Sequence, residues 1–101
     1  MAQSARDQAK QLLAPVPGEY VFWCQDGRVL RNMSDLTEAL ETITDETFRY
    51  HANSEKNDFA NWVRDIIKDE KLARDLFRSN TRPMAAKVVR DRETYLTARM
   101  A

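Results

Sequence analysis

Apolar positions along this 101-residue chain recur at steps of three and four through most of its length and alternate in one short window only. Steps of three and four put side chains on one face of a helix, whereas alternation puts them on one face of a strand. Ala5, Ala9, Leu12 and Leu13 give a short first helix with Ser4 as its cap. Pro15 and Pro17 end it, because proline lacks the amide hydrogen and restricts the residue before it. In the alternating window, residues 20–24 and 28–30 flank Asp26-Gly27, a pair that tolerates the positive φ angles of a tight hairpin turn. Tyr20, Phe22 and Cys24 alternate there with Val21 and Trp23, so both faces of the strand are apolar. A lone hairpin is marginal in water, so one face is expected to cover the core and the other, through Val21 and Trp23, to meet a second helix or a partner.

Helical spacing returns with Leu36, Leu40 and Ile43, where Ser34 is the predicted cap and Asp35 places an acid in the first turn. Thr44 opens a further short helix, followed by Asp45 and Glu46. Phe59, Trp62, Val63, Ile66 and Ile67 form the next apolar stripe, with Asn57 or Ser54 to cap it. Leu72, Leu76 and Phe77 repeat the pattern more briefly. Ala85, Val88, Val89, Arg92 and Leu96 share one face of a long last helix whose first turn accommodates Pro83. The outline is α+β and mostly helical. Residues 1–17 give an N-terminal helix and Pro-containing connector; residues 18–101 give a single domain of one β-hairpin and about four short-to-medium helices.

Composition changes this picture little, but charge order does. Basic and acidic side chains number 16 each, so no net field draws nucleic acid or an acidic membrane to the whole molecule. Residues 33–70 nevertheless carry four basic and ten acidic side chains, and residues 71–101 eight and three. Either the acidic middle and basic tail pack side by side and neutralise one another, or the tail meets phosphates. One cysteine, Cys24, allows no intramolecular disulfide and points to a reducing compartment, the cytoplasm. No apolar run has the length of a membrane span.

Chemistry has few candidates. One His and one Cys cannot alone supply the three or four protein ligands of a zinc site. A carboxylate site for magnesium or calcium is conceivable in the acidic middle, but no 12-residue calcium loop can be written, and no metal or other cofactor is expected. Gly18 and Gly27 are isolated, so no Gly-rich phosphate loop can be written. Cys24 would need His51 as its base, yet it lies in an apolar strand, where a thiol is usually inert. No catalytic residue is assigned, and the chain is read as a non-enzyme.

The polar cluster of residues 51–66, HANSEKNDFANWVRDI, admits two readings. Its polar groups can cap a helix around a buried Trp62 whose indole N–H finds a neighbour. Alternatively, His51, Asn57, Asp58, Asn61 and Arg64 form a patch around Trp62 that binds a peptide, an acidic partner or a base.

Across the same residues the chain resembles an uncharacterised family of small prokaryotic domains of unknown function, best represented in archaea. The features that carry the resemblance are an aromatic-rich hairpin strand, a Leu-spaced helix, Phe48-x-Tyr50-His51, then Asn57-Asp58-Phe59-Ala60-x-Trp62, and Asp69-x-x-Leu72-Ala73. The match spans about half of the chain and excludes the first 17 residues and everything after Leu76. It implies an independently folding module, alone or attached to larger proteins, with no activity to carry over.

The expectation is therefore a small non-catalytic interaction or regulatory module that meets an unidentified protein partner or a second copy of itself, with no membrane contact. The alternative is a nucleic-acid binder in which Arg78, Arg82, Lys87, Arg90, Arg92 and Arg99 contact phosphates.

Overall fold

A computed structural model describes residues 4–101. The chain forms α1 (Ala5–Leu13), β1 (Phe22–Trp23), β2 (Val29–Leu30), α2 (Met33–Thr42), α3 (Asp45–His51), α4 (Asp58–Trp62), α5 (Glu70–Phe77) and α6 (Arg82–Met100). Five helices thus follow the hairpin.

Short polar side chains set most of these boundaries. The side-chain oxygens of Ser4, Thr44, Asn57, Asp69 and Thr81 each accept a backbone N–H at a helix start, which satisfies donors the first turn leaves free. At α2 the cap is Asn32 and not the predicted Ser34, which lies inside the first turn. Asn32 Oδ1 accepts from Asp35 N–H (2.8 Å), and Asp35 Oδ2 in turn accepts from Arg31 N–H (2.9 Å), the residue before the cap.

The hairpin is shorter than its alternation predicts. Phe22 pairs with Leu30 and Trp23 with Val29. Tyr20 leaves the strand for a 3-10 helical turn, Gly18–Tyr20, whose Tyr20 N–H bonds to Pro17 C=O. Cys24 N–H bonds to Arg28 C=O at 2.9 Å, so three residues make the loop, and Gly27 alone takes a positive φ, +99°. This is the three-residue hairpin loop with glycine at its left-handed position, where a Cβ would strain the chain.

The α2 and α6 helices pack against each other, and α1 packs on both. Met33, Leu36 and Leu40 of α2, Ala85 and Val89 of α6, and Ala9 and Leu12 of α1 are buried in one core with Leu72 and Leu76 of α5. Alanines at contact positions let helix axes approach closely. A radius of gyration of 13.1 Å equals that of a compact chain of this length, about 13 Å, so α1 belongs to the body despite the Pro-containing connector. Phe77, predicted to share the stripe of Leu72 and Leu76, is exposed instead: it lies one residue beyond Leu76, about 100° around the helix.

After Trp62 the helix widens into a π-helical turn, Val63–Ile67, and stops at Lys68, whose φ is +71°. Val63 C=O accepts both Lys68 N–H (2.7 Å) and Asp69 N–H (3.1 Å), which closes the helix end. A left-handed backbone burdens a side-chain-bearing residue and suits glycine. Lys68→Gly is expected to stabilise the protein by about 0.5–1 kcal/mol, read as a higher thermal midpoint. A lower midpoint would mean that the lysine side chain offsets its backbone strain.

Candidate functional site

The residues of the central motif converge on one histidine. His51 closes α3, is 5% exposed, and stands among Phe22 (5.0 Å between ring centroids), Phe59 (5.2 Å) and Tyr50 (4.9 Å). Phe22 also meets Trp62 edge-on at 5.8 Å, so rings from β1, α3 and α4 make one cluster. Gln25 N–H donates to His51 Nε2 at 2.9 Å; in this arrangement Nδ1 carries the ring proton and donates it to Asp58 Oδ2 at 3.0 Å. The imidazole therefore ties the hairpin loop to the start of α4.

The other predicted binding residues have separate partners. Trp62 is 7% exposed, and its indole N–H donates to Tyr20 C=O at 2.7 Å. Asn57 Oδ1 caps α4 through Ala60 N–H (3.0 Å), while its amide donates to Leu76 C=O (3.1 Å) and joins α4 to the end of α5. Asn61 is half-buried, and its side chain makes no hydrogen bond among the described residues. Arg64 is exposed, pairs with Asp65 at 2.8 Å and lies over the ring of Phe77. The geometry thus joins His51 to Asp58 and sets Asn57 and Trp62 as braces, but it makes no patch of all six around an exposed indole.

Electrostatics follow from these contacts. Burial pushes the Asp58 carboxyl up, but the hydrogen bonds from Lys56 and His51 and the Lys56 ammonium at 2.9 Å outweigh it and hold the group below its ordinary value. Asp26 is likewise held down: burial is outweighed by Arg28 N–H, by the Cys24 thiol and by the Arg28 guanidinium. A carboxyl lowered on folding adds stability that is complete above its unfolded value, near 3.9, and is lost as pH falls through the folded one. The urea midpoint should accordingly drop on acidification below about pH 4, and Asp58→Asn should flatten that drop. An equal acid slope in the variant would refute the assignment.

Burial pushes the Cys24 thiol above its ordinary value, and the neighbouring Asp26 carboxylate adds to this. Since His51 Nε2 is already taken by Gln25 N–H, the ring has no free acceptor with which to draw a proton from Cys24. Among the described residues no three His, Cys, Asp or Glu side chains gather as metal ligands, and no helix is long and apolar enough to cross a membrane.

On the hairpin, Phe22 and Cys24 face inward, Val21 is half-buried, and Trp23 is 72% exposed. Hydrogen-bonded and non-bonded pairs alternate along an antiparallel ladder. Because Cys24 and Arg28 are a bonded pair, Trp23 and Val29 are not, and the Trp23 N–H and C=O point away from β2. They find no backbone partner among the described residues. The outer edge of β2 differs, since Val16 N–H bonds to Arg31 C=O at 2.8 Å.

The basic residues of α6 are largely engaged. Arg82 pairs with Asp45 (3.2 Å) and donates to Leu40 C=O (2.8 Å), closing the end of α2. Arg90 pairs with Glu41, Lys87 with Asp91 at 2.6 Å, and Arg92 with Asp69. Arg99 lies over Tyr95 at 3.9 Å. Arg78 alone of the six has no such partner among the described residues. Acidic α2 and α3 and basic α6 thus neutralise one another in part.

Sequence reasoning missed Gln25 as the partner of His51 and the pairing of Asp69 with Arg92. Both join residues more than 20 positions apart through backbone or cap geometry, which no local spacing encodes. Comparison with family models, with curated proteins and with solved structures finds no match to this chain.

Proposed function

We propose that this chain is a small non-catalytic interaction or regulatory module that receives an extended strand of a protein partner on the free edge of β1, a second copy of the chain being the simplest such partner. Trp23 carries the reading. One residue offers a large exposed indole and, on the same edge, a backbone N–H and C=O without a partner, the two elements by which a sheet edge recruits another strand. An isologous pairing of two such edges closes on itself and needs no further component.

The commitment of His51 to the hairpin and the raised, buried thiol of Cys24 support a role without chemistry. A lone buried thiol also fits the cytoplasm. The nucleic-acid alternative has less beneath it, because four of its six cations already hold carboxylates.

Sedimentation and light scattering test the proposal. The wild type should associate as its concentration rises into the micromolar range, and Trp23→Lys should remain monomeric. The substitution should cost less than about 1 kcal/mol of stability, since it removes one cross-strand pair and no core contact. If the wild type stays monomeric throughout, and wild type and variant capture identical proteins from a lysate, the edge is not a docking surface.

A further inference from the structure

A cleft of about 550 Å³ lies between the turn that joins α3 to α4 and the link from α5 to α6, within the size range of small-molecule sites. Arg49 and Lys56 line it, with Ser54 and Asn80 as polar neighbours and Phe77 as an apolar wall. No carboxylate lines it. In a chain with equal numbers of acids and bases this sets it apart: Asp65, Asp75, Asp35 and Glu41 each line one of four other clefts.

One of its two cations is unengaged, while the other, Lys56, is held by Asp58 and lies over the Tyr50 ring at 5.0 Å. The Arg49 side chain makes neither an ion pair nor a hydrogen bond among the described residues, and the Lys56 ammonium, bonded to Asp58, keeps 44% of its side chain exposed. The amides of Asn53 and Asn57 are, in contrast, spent on backbone partners. Phe77 is 45% exposed although its helix buries Leu72 and Leu76, with Arg64 over its ring at 5.7 Å. A fork of guanidinium donors without a partner suits a phosphate, and a half-exposed ring lining the same cleft suits a planar group.

We propose that this cleft binds a small phosphate monoester attached to a planar ring, of the nucleoside monophosphate kind. Arg49 neutralises the phosphate, Ser54 and Asn80 donate to it, and Phe77 takes the ring. The proposal goes beyond strand docking at β1 and does not depend on it.

Calorimetric titration at low ionic strength tests it, with adenosine 5′-monophosphate, inorganic phosphate and adenosine as probes. The monophosphate should saturate one site with Kd below about 1 mM and bind more tightly than either other probe. Arg49→Gln should weaken it about tenfold or more, as loss of a charged hydrogen bond does, while Lys10→Gln on distant α1 should leave it unchanged. Phe77→Ala should weaken the monophosphate and spare inorganic phosphate. Both Arg49 and Phe77 are exposed, so neither substitution opens the core. Absence of saturable binding, or equal losses in Arg49→Gln and Lys10→Gln, would overturn the site. Phosphate binding as tight as the monophosphate would overturn the role of Phe77, and a single-stranded oligonucleotide binding more tightly than either would overturn the small-ligand assignment.

Discussion

His51→Ala is expected to lower stability by about 3 kcal/mol, because it leaves a void among three aromatic neighbours and strips Gln25 N–H of its acceptor. In a small domain of 5–15 kcal/mol total stability, a loss of roughly this size is severe. The urea midpoint measures it, and His51→Phe divides it: a ring of similar breadth keeps the packing and gives up the hydrogen bonds, so roughly 1–2 kcal/mol of the loss should remain. Amide exchange gives the location. Hairpin amides should open first in either variant, since the imidazole is what fastens the loop to α4. A loss below about 1 kcal/mol for His51→Ala would show that the ring fills space without holding anything.

Arg92→Ala is expected to cost about 3–5 kcal/mol, far more than a surface charge would. Asp69 is 2% exposed, caps α5 through Leu72 N–H at 3.1 Å, and receives Arg92 through two hydrogen bonds, of 2.7 and 3.2 Å. Removing the guanidinium leaves a buried carboxylate with one backbone donor. The double variant Asp69→Asn/Arg92→Met, which keeps the cap and replaces the pair by an amide and an apolar side chain, should recover most of the loss. Urea is the denaturant to use, because guanidinium ions would screen the pair. A double variant as unstable as the single one would show that the cost lies in the packing of Arg92 and not in the orphaned charge.

Local physics was legible in the sequence wherever the decisive partner lay within a turn or two. Ser4, Thr44 and Asn57 cap helices because each stands just before an apolar stripe, and Asp26-Gly27 marks the hairpin because glycine alone accepts the backbone there. The stripes of α2 and α6 were legible for the same reason. Local signals misled where two of them competed: Ser34 lost the cap of α2 to Asn32, whose side-chain oxygen accepts from Asp35 N–H, and Phe77 follows a stripe without belonging to it. The roles within the polar cluster were not legible. That His51 serves the hairpin depends on Gln25, 26 residues earlier, and the pairing of Asp69 depends on Arg92, 23 residues later. Arg49 and Asn80 were likewise invisible as neighbours, because only the packing of α5 brings their loops to one cleft.

The placement of α6 between α1 and α2 has a consequence in time. Residues 82–100 leave a ribosome after every other described helix, yet they supply the surface on which Ala9, Leu12, Met33 and Leu36 are buried. Until they emerge, the apolar stripes of the first two helices have no lasting cover, and the hairpin beside them has no finished floor. Folding of this body therefore waits for its last helix, and until that helix emerges the nascent chain presents the very surfaces that holding chaperones recognise.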